Sequence, residues 1–245
     1  MAFAHYPTFF RVLWQGLAPI VRSTAFVDHG RALRAQAEQG ARRLLPASLV
    51  GALAERGYAP RELEQIRALL EVFSHGNQPY LLIASITRLL LEGGELDGAG
   101  DATPFEGRHG PHPGAALVLM EAHHADAPTR ALYADIQRTL GLPFVNTDYR
   151  ALARWPSYFD VAWRQLAPQV HGDAYREICA ALHADVLERV AHALPNPAAL
   201  RGAALREAAA ADAPLDEVVA VARLFQWLLP GLVTNVAFLR AQLLS

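Results

Sequence analysis

The stretch Leu142-Pro143-Phe144-Val145-Asn146-Thr147-Asp148-Tyr149-Arg150 puts an amide, a hydroxyl and a carboxylate in consecutive positions behind a short apolar turn. The same polar triplet suits the opening of a helix, with Asn146 or Thr147 as the cap and Asp148 beside the positive N-terminal end. A second polar segment, His75-Gly76-Asn77-Gln78-Pro79-Tyr80, is predicted as a turn joining two apolar helices, with Tyr80 one turn into the second. Capping explains that turn too. Its counterpart further along, Leu228-Leu229-Pro230-Gly231, keeps the break but has no polar side chains, so Asn77 is more than the turn requires.

The other reactive side chains are not arranged for chemistry. A metal site would use two histidines four apart on one helix face, with a third ligand nearby. His109 and His112 are three apart in a loop-rich segment, and His123-His124 are adjacent, after Glu121. No Ser-His-Asp set or phosphate-cradling glycine loop can be assembled, and Gly93–Gly100 has no strand before it. The one cysteine, Cys179, excludes an internal disulfide and sits at an apolar helical position, where it reads as an inert buried thiol.

The elements that must hold these groups are helical. Of the 245 residues 52% are hydrophobic, enough for a substantial core, and apolar residues recur three and four apart, as in Ile66, Leu69, Leu70 and Phe73. Helices are predicted over 7–20, 24–44, 47–55, 60–74, 78–92, 113–122, 127–140, 147–154, 156–168, 172–193, 197–210, 214–228 and 231–243, with no strand alternation. Pro7, Pro60, Pro156 and Pro197 stand where a missing N–H costs least, and Gly57 and Gly141 fit helix stops. The formal charge of −2 gives no pull toward nucleic acid or an anionic membrane. The segment Val218–Leu239 is long enough to cross a bilayer, but Arg223, Gln226, Pro230 and Asn235 in its interior mark a core helix. With no secretory leader pattern, a cytoplasmic protein is expected.

The chain also repeats itself. At an offset of 149, the residues from Ala4/Ala153 to Ala35/Ala184 give thirteen identities in thirty-two ungapped pairs, among them Pro7/Pro156, Phe10/Phe159 and Trp14/Trp163. A weaker echo sets Leu63–Phe73 over Leu215–Phe225. The period is too long for a solenoid, so a tandem duplication of one module is expected. The implied division is a first repeat at 1–95, a glycine- and proline-rich linker at 96–113 and a second repeat at 114–245, forming an all-α pseudo-twofold body.

The segment PFVNTDYRALARWPSYFDVAW, the duplicated Tyr/Trp-Pro-x-Phe/Tyr-Phe module and the Asn77-x-x-Tyr80 spacing together resemble the group I 2-haloacid dehalogenases, an all-helical family acting on both D and L substrates. The likeness runs over most of the chain. It implies a configuration-inverting hydrolase for short 2-halogenated carboxylic acids. Asp148 would be the base that activates a water for direct attack on the α-carbon, without a covalent ester; partial burial would make such a carboxylate more basic. Asn77 would hold water or substrate, Thr147 and Tyr80 would line the pocket, and no metal or organic cofactor is implied. Met1 stands only three residues before Ala4, whereas the second repeat has a lead-in from about Thr129 to Leu152. The expectation is therefore a first repeat that lacks part of its pocket, or a recorded start that is too late. Apolar surface at such an N-terminus favours a homodimer. Two other functions fit the same residues: a non-catalytic helical binding protein, and an enzyme of this fold acting on another small carboxylic acid.

Overall fold

The computed structural model describes residues 3–111 and 117–244; the expected start of a helix at 113, and His112, lie outside these. The described residues form ten α-helices and no strand: α1 Pro7–Val21, α2 Thr24–Arg43, α3 Val50–Glu55, α4 Pro60–Leu91, α5 Ala127–Leu140, α6 Thr147–Leu152, α7 Pro156–Leu166, α8 Asp173–His192, α9 Gly202–Asp212 and α10 Leu215–Ala241. A single 3-10 turn, Ala167–Gln169, follows α7. The all-α expectation holds.

Several boundaries differ from the sequence reading. The breaks predicted at 75–77 and 229–230 are absent, and α4 and α10 run on through Pro79 and Pro230. Pro79 cannot donate the ladder bond to the carbonyl of His75, and its ring crowds that carbonyl. Burial on both sides outweighs that loss: Leu70, Leu81, Leu82, Ile86 and Leu90 are fully buried, each worth about 1.5–3 kcal/mol relative to exposure. Residues 117–122 form no helix, and α9 starts at Gly202 rather than 197. Gly141 does stop α5, in the left-handed conformation with φ 65°.

The repeated segments build matching elements. Helices α2 and α8 are both 20 residues long, and their ends differ by the same 149 positions. Helices α1 and α7 both begin on proline after an aromatic residue, Tyr6 with φ −119° and ψ 75° and Trp155 with φ −119° and ψ 76°.

The chain folds into two compact units, each assembled from three stretches. The first takes the chain up to Gln36, His75–His109 and Ala180–Val233; the second takes Ala37–Ser74, Gly110–Cys179 and the chain from Thr234 onward. These divisions cut across the sequence repeats. Helices α2, α4, α8 and α10 each supply residues to both units.

In the first unit, Phe9, Leu13, Leu17 and Ile20 of α1 are buried. The backbone N–H of Phe9 donates to Asp212 at 2.8 Å, and the Tyr6 hydroxyl to Glu217 at 2.6 Å. The glycine-rich segment after α4 is tied down by backbone bonds: Asp97 to Ala191, Thr24 to Thr103 and Phe105 to Arg22. In the second unit, the Arg240 guanidinium joins three helices by donating to Glu71 on α4 and to Glu38 on α2. Leu49 and Arg67 bond the backbone at Gln242 and Leu243, fixing the chain's last turn.

Three histidines of the first unit have pKa values held below the ordinary 6.5. His29 is lowered by burial and then by Arg189; His109 by burial, His75 and Arg31; His183 by burial and Arg88. The unfolded chain therefore takes up protons near pH 6.5 that the native state refuses, and stability falls as the pH drops through that value. Exposed His192, raised by its bond to Asp97, acts in the opposite sense, but a solvated pair contributes little. The urea midpoint is expected to be lower at about pH 5.5 than at about pH 7.5, with His29→Gln narrowing the gap. A midpoint that rises on acidification would sink this account.

Candidate active site

Helix α5 ends at Gly141, buried Leu142 turns the chain inward, and six-residue α6 opens at the Asn146 position. Of its residues Asp148, Tyr149, Ala151 and Leu152 are buried, while Thr147 and Arg150 are half-buried. Asp148, at 4% exposure, is a carboxylate nearly out of water in the first turn of a helix, where the backbone dipoles favour negative charge.

The capping explanation of the triplet does not hold for Asn146. It stands at the N-cap, yet its side chain makes no capping bond, and its buried Oδ1 has no hydrogen-bond partner. By contrast Asp126, at the start of α5, caps that helix by accepting from the Thr129 N–H at 2.9 Å. A buried acceptor without a protein partner is costly, and the helix end does not account for this one.

Helix α6 is held from three sides. The Tyr149 ring, fully buried, stacks on Phe159 at 6.0 Å between centroids and meets Trp163 edge-on at 5.8 Å. Its hydroxyl accepts from Asn235 Nδ2 at 2.9 Å, and Asn235 Oδ1 accepts from the Tyr175 hydroxyl at 2.8 Å. The strap before α5 closes the third side. Met120 N–H donates to the Arg150 carbonyl at 3.0 Å, Arg150 Nη1 reaches both Glu121 oxygens at 2.7 and 2.9 Å, and the Tyr133 hydroxyl donates to the Met120 carbonyl.

Burial raises the Tyr149 hydroxyl well above the ordinary tyrosine range; the Asn235 bond opposes that rise and the Asp148 charge adds to it. Tyr133 is pushed up to about 12, chiefly by burial. Both phenols stay protonated at neutral pH and act as neutral hydrogen-bonding groups.

Asp148 and Thr147 thus lie together in the second unit. Asn77 and Tyr80 belong to the first, three residues apart on α4. Asn77 is buried at 5% beside buried Gln78, whose Oε1 has no partner, while Tyr80 is 63% exposed. Asn77 stands inside a continuous helix, so the expected turn around it is corrected to a buried polar stripe on α4. Among the described residues no three His, Cys, Asp or Glu side chains gather in a way that could hold a metal ion. Cys179 packs beside Thr234 with its thiol pKa raised by burial, as an inert cysteine would. An open cavity of about 320 Å³ in the first unit is lined by Arg22, Phe26, Pro79, Ile83, Phe105 and His109, among others, and by none of the four candidate site residues. Sequence reading gave Asn146 as a candidate cap, which its missing capping bond corrects, and missed the Tyr149–Asn235–Tyr175 chain because its members lie 60 and 86 positions apart.

No family model matches the chain. An (R)-2-haloacid dehalogenase of Rhizobium sp. (strain NHG3) is 48% identical over 82% of this chain and 78% of its own length. Another of the same name, from Pseudomonas putida, is 37% identical over 100% of this chain and 82% of its own. The chain belongs to the 2-haloacid dehalogenase family. A configuration-inverting 2-haloacid dehalogenase of Pseudomonas sp. (strain 113) is 26% identical over 66% of the chain. Among solved structures, a D-2-haloacid dehalogenase mutant with D-2-CPA superposes with a TM-score of 0.91 at 33% identity, covering 98% of this chain and 84% of the other. A D-2-haloacid dehalogenase with L-LA gives the same TM-score and coverage at 35% identity.

In this dehalogenase-family chain the two helix-opening residues should separate cleanly under mutation. Asp126→Ala removes a working cap and is expected to lower the urea midpoint with turnover unchanged. Asn146→Ala removes no cap and takes away an unsatisfied buried acceptor, so the urea midpoint should hold or rise while turnover falls. Urea melts paired with halide-release assays read both. Equal losses of stability in the two variants would restore Asn146 to a capping role.

Proposed function

We propose that the chain hydrolyses the carbon–halogen bond of short 2-haloalkanoic acids, with Asp148 as the general base. The substrate is a small halogenated carboxylate. Water held by Asp148 gives up a proton to the carboxylate as its oxygen bonds to the α-carbon, and halide departs from the opposite face with the bonding electrons. The configuration inverts, and the product is a 2-hydroxy acid. The observation that carries this reading is the nearly solvent-free carboxylate in the first turn of α6, in a chain of this family. Shielding suits a base that must act on one bound water rather than on bulk solvent.

Asn77 and Asn146 are read as the amides that orient the water or the substrate, Thr147 and Tyr80 as flanking groups. The buried, unpartnered Oδ1 of Asn146 supports its part, since it offers an acceptor for the water's second proton. Preference for the (R) substrate is the stereochemical reading, supported by two relatives named for that enantiomer. The similar structures carry a ligand of D configuration in one case and of L configuration in the other, which agrees with inversion.

We further read the chain as a tandem duplication, repeat one at 1–95 and repeat two at 114–245, on the strength of the equal-length helices α2 and α8 and the matching entries to α1 and α7. Helix α10 is long and apolar enough to span a membrane, but half of its most apolar stretch is buried. That burial supports a core helix of a soluble protein, for which we read a cytoplasmic location. Exposed Trp14 and Trp227 support pairing with a second copy, which sedimentation equilibrium reads directly.

Halide release from (R)- and (S)-2-chloropropionate by wild type and Asp148→Asn tests the chemistry. The (R) acid is expected to react faster, and the variant to lose about 100-fold or more in kcat. Single turnovers in heavy-oxygen water should place the label in the hydroxy acid and none in the protein. An Asp148→Asn enzyme as fast as wild type removes the base from this reading.

A further inference from the structure

Helix α6 is too short to set its own orientation, and the chemistry depends on where it points Asp148. Tyr149 follows Asp148 directly, so the direction of its ring fixes the rotation of α6 and with it the Asp148 side chain, about 100° further round. The ring's two aromatic neighbours confine its plane. What holds its far end is Asn235.

That amide is fully buried, at 0% exposure, in a stretch of α10 where Val233, Val236, Phe238 and Leu239 are also buried. A polar group in such a place costs stability unless both its ends are bonded. Here the Tyr175 hydroxyl donates to Oδ1 and so turns Nδ2 toward Tyr149. A leucine would fill the volume without this requirement.

The chain itself contains the comparison. At the offset that matches α2 to α8, Tyr175 stands over Phe26 and Cys179 over Gly30. With Pro230 set over Pro79, Asn235 stands over Ala84 and Thr234 over Ile83. The Tyr175 hydroxyl, Cys179 thiol, Thr234 hydroxyl and Asn235 amide thus face phenylalanine, glycine, isoleucine and alanine at the matching positions. The polar cluster therefore accompanies the α6 that carries Asp148 rather than the helix pattern the repeats share.

We propose that Asn235, oriented by Tyr175, is a positioning residue that holds Tyr149 and thereby aims Asp148 at its water. The inference rests on the reading of Asp148 as the base. A turn of α6 by about 10° would carry a side-chain tip, ~5–6 Å from the helix axis, through roughly 1 Å. Misplacement on that scale can cost about 100-fold in rate.

The test compares Asn235→Leu, Tyr149→Phe and the double variant in the full chain, each checked for folding by circular dichroism and thermal melting. With (R)-2-chloropropionate, each single variant is expected to lose about 10- to 100-fold in kcat with KM within about twofold, because only the base is displaced. The double variant should be no slower than the slower single, since both remove one interaction. A folded Asn235→Leu with wild-type kcat overturns the proposal, as does a double variant whose losses multiply. Should Asn235→Leu fail to fold, Tyr149→Phe and Tyr175→Phe decide, each deleting one bond of the chain while keeping its ring; wild-type kcat in both overturns it. Asp148→Asn separates the two ideas. If it is inactive while Asn235→Leu is not, positioning alone fails; if it stays active, the base reading has failed first.

Discussion

A six-residue helix makes too few ladder bonds to hold its own axis, yet α6 carries a carboxylate at 4% exposure. Its stability is borrowed from outside: an aromatic seat of Phe159 and Trp163, a buried amide on α10, and a strap at Met120 and Glu121 fastened to Arg150. The elements around it in the second unit serve that anchoring. Helix α7 brings both rings of the seat, and its Trp163 indole is fixed by donating to Asp135 on α5 at 2.8 Å. Helix α8 brings Tyr175, and the end of α10 brings Asn235.

The long helices are continuous for the same energetic reason. A proline inside a helix loses a ladder bond and crowds a carbonyl, at a cost of about 3 kcal/mol. Helices α4 and α10 absorb this because apolar residues on either side of each proline are buried. Continuity then carries polar groups into buried ground: Ser74, Asn77, Gln78 and Ser85 on α4, Gln226, Thr234 and Asn235 on α10. Such groups hold a fold to one arrangement when bonded, and they offer unsatisfied atoms to a ligand when they are not. The second unit's Asn235 is of the first kind, bonded at both ends, whereas the oxygens of Gln78 and Asn146 have no partner in the chain.

Where local chemistry is decisive the chain could be read directly. Proline after an aromatic starts α1 and α7, Gly141 stops α5, and the 149-residue echo anticipates the equal lengths of α2 and α8. Asn77 and Pro79 misled, because a polar residue before a proline has the same local preferences in a turn as in a helix held by its neighbours. Asn146 misled in the other direction. It has a cap's type and position, yet its side chain makes no capping bond and its buried oxygen has no partner in the chain.

The sequence alone determined the helical class, several helix ends and the carboxylate at the head of α6, because periodicity, proline and glycine placement and residue type act over a few positions. Tertiary structure alone decided which polar residues are buried, which of them are bonded, and how α6 is held. Those depend on side chains up to 86 positions apart meeting in space, and no local preference encodes such a meeting.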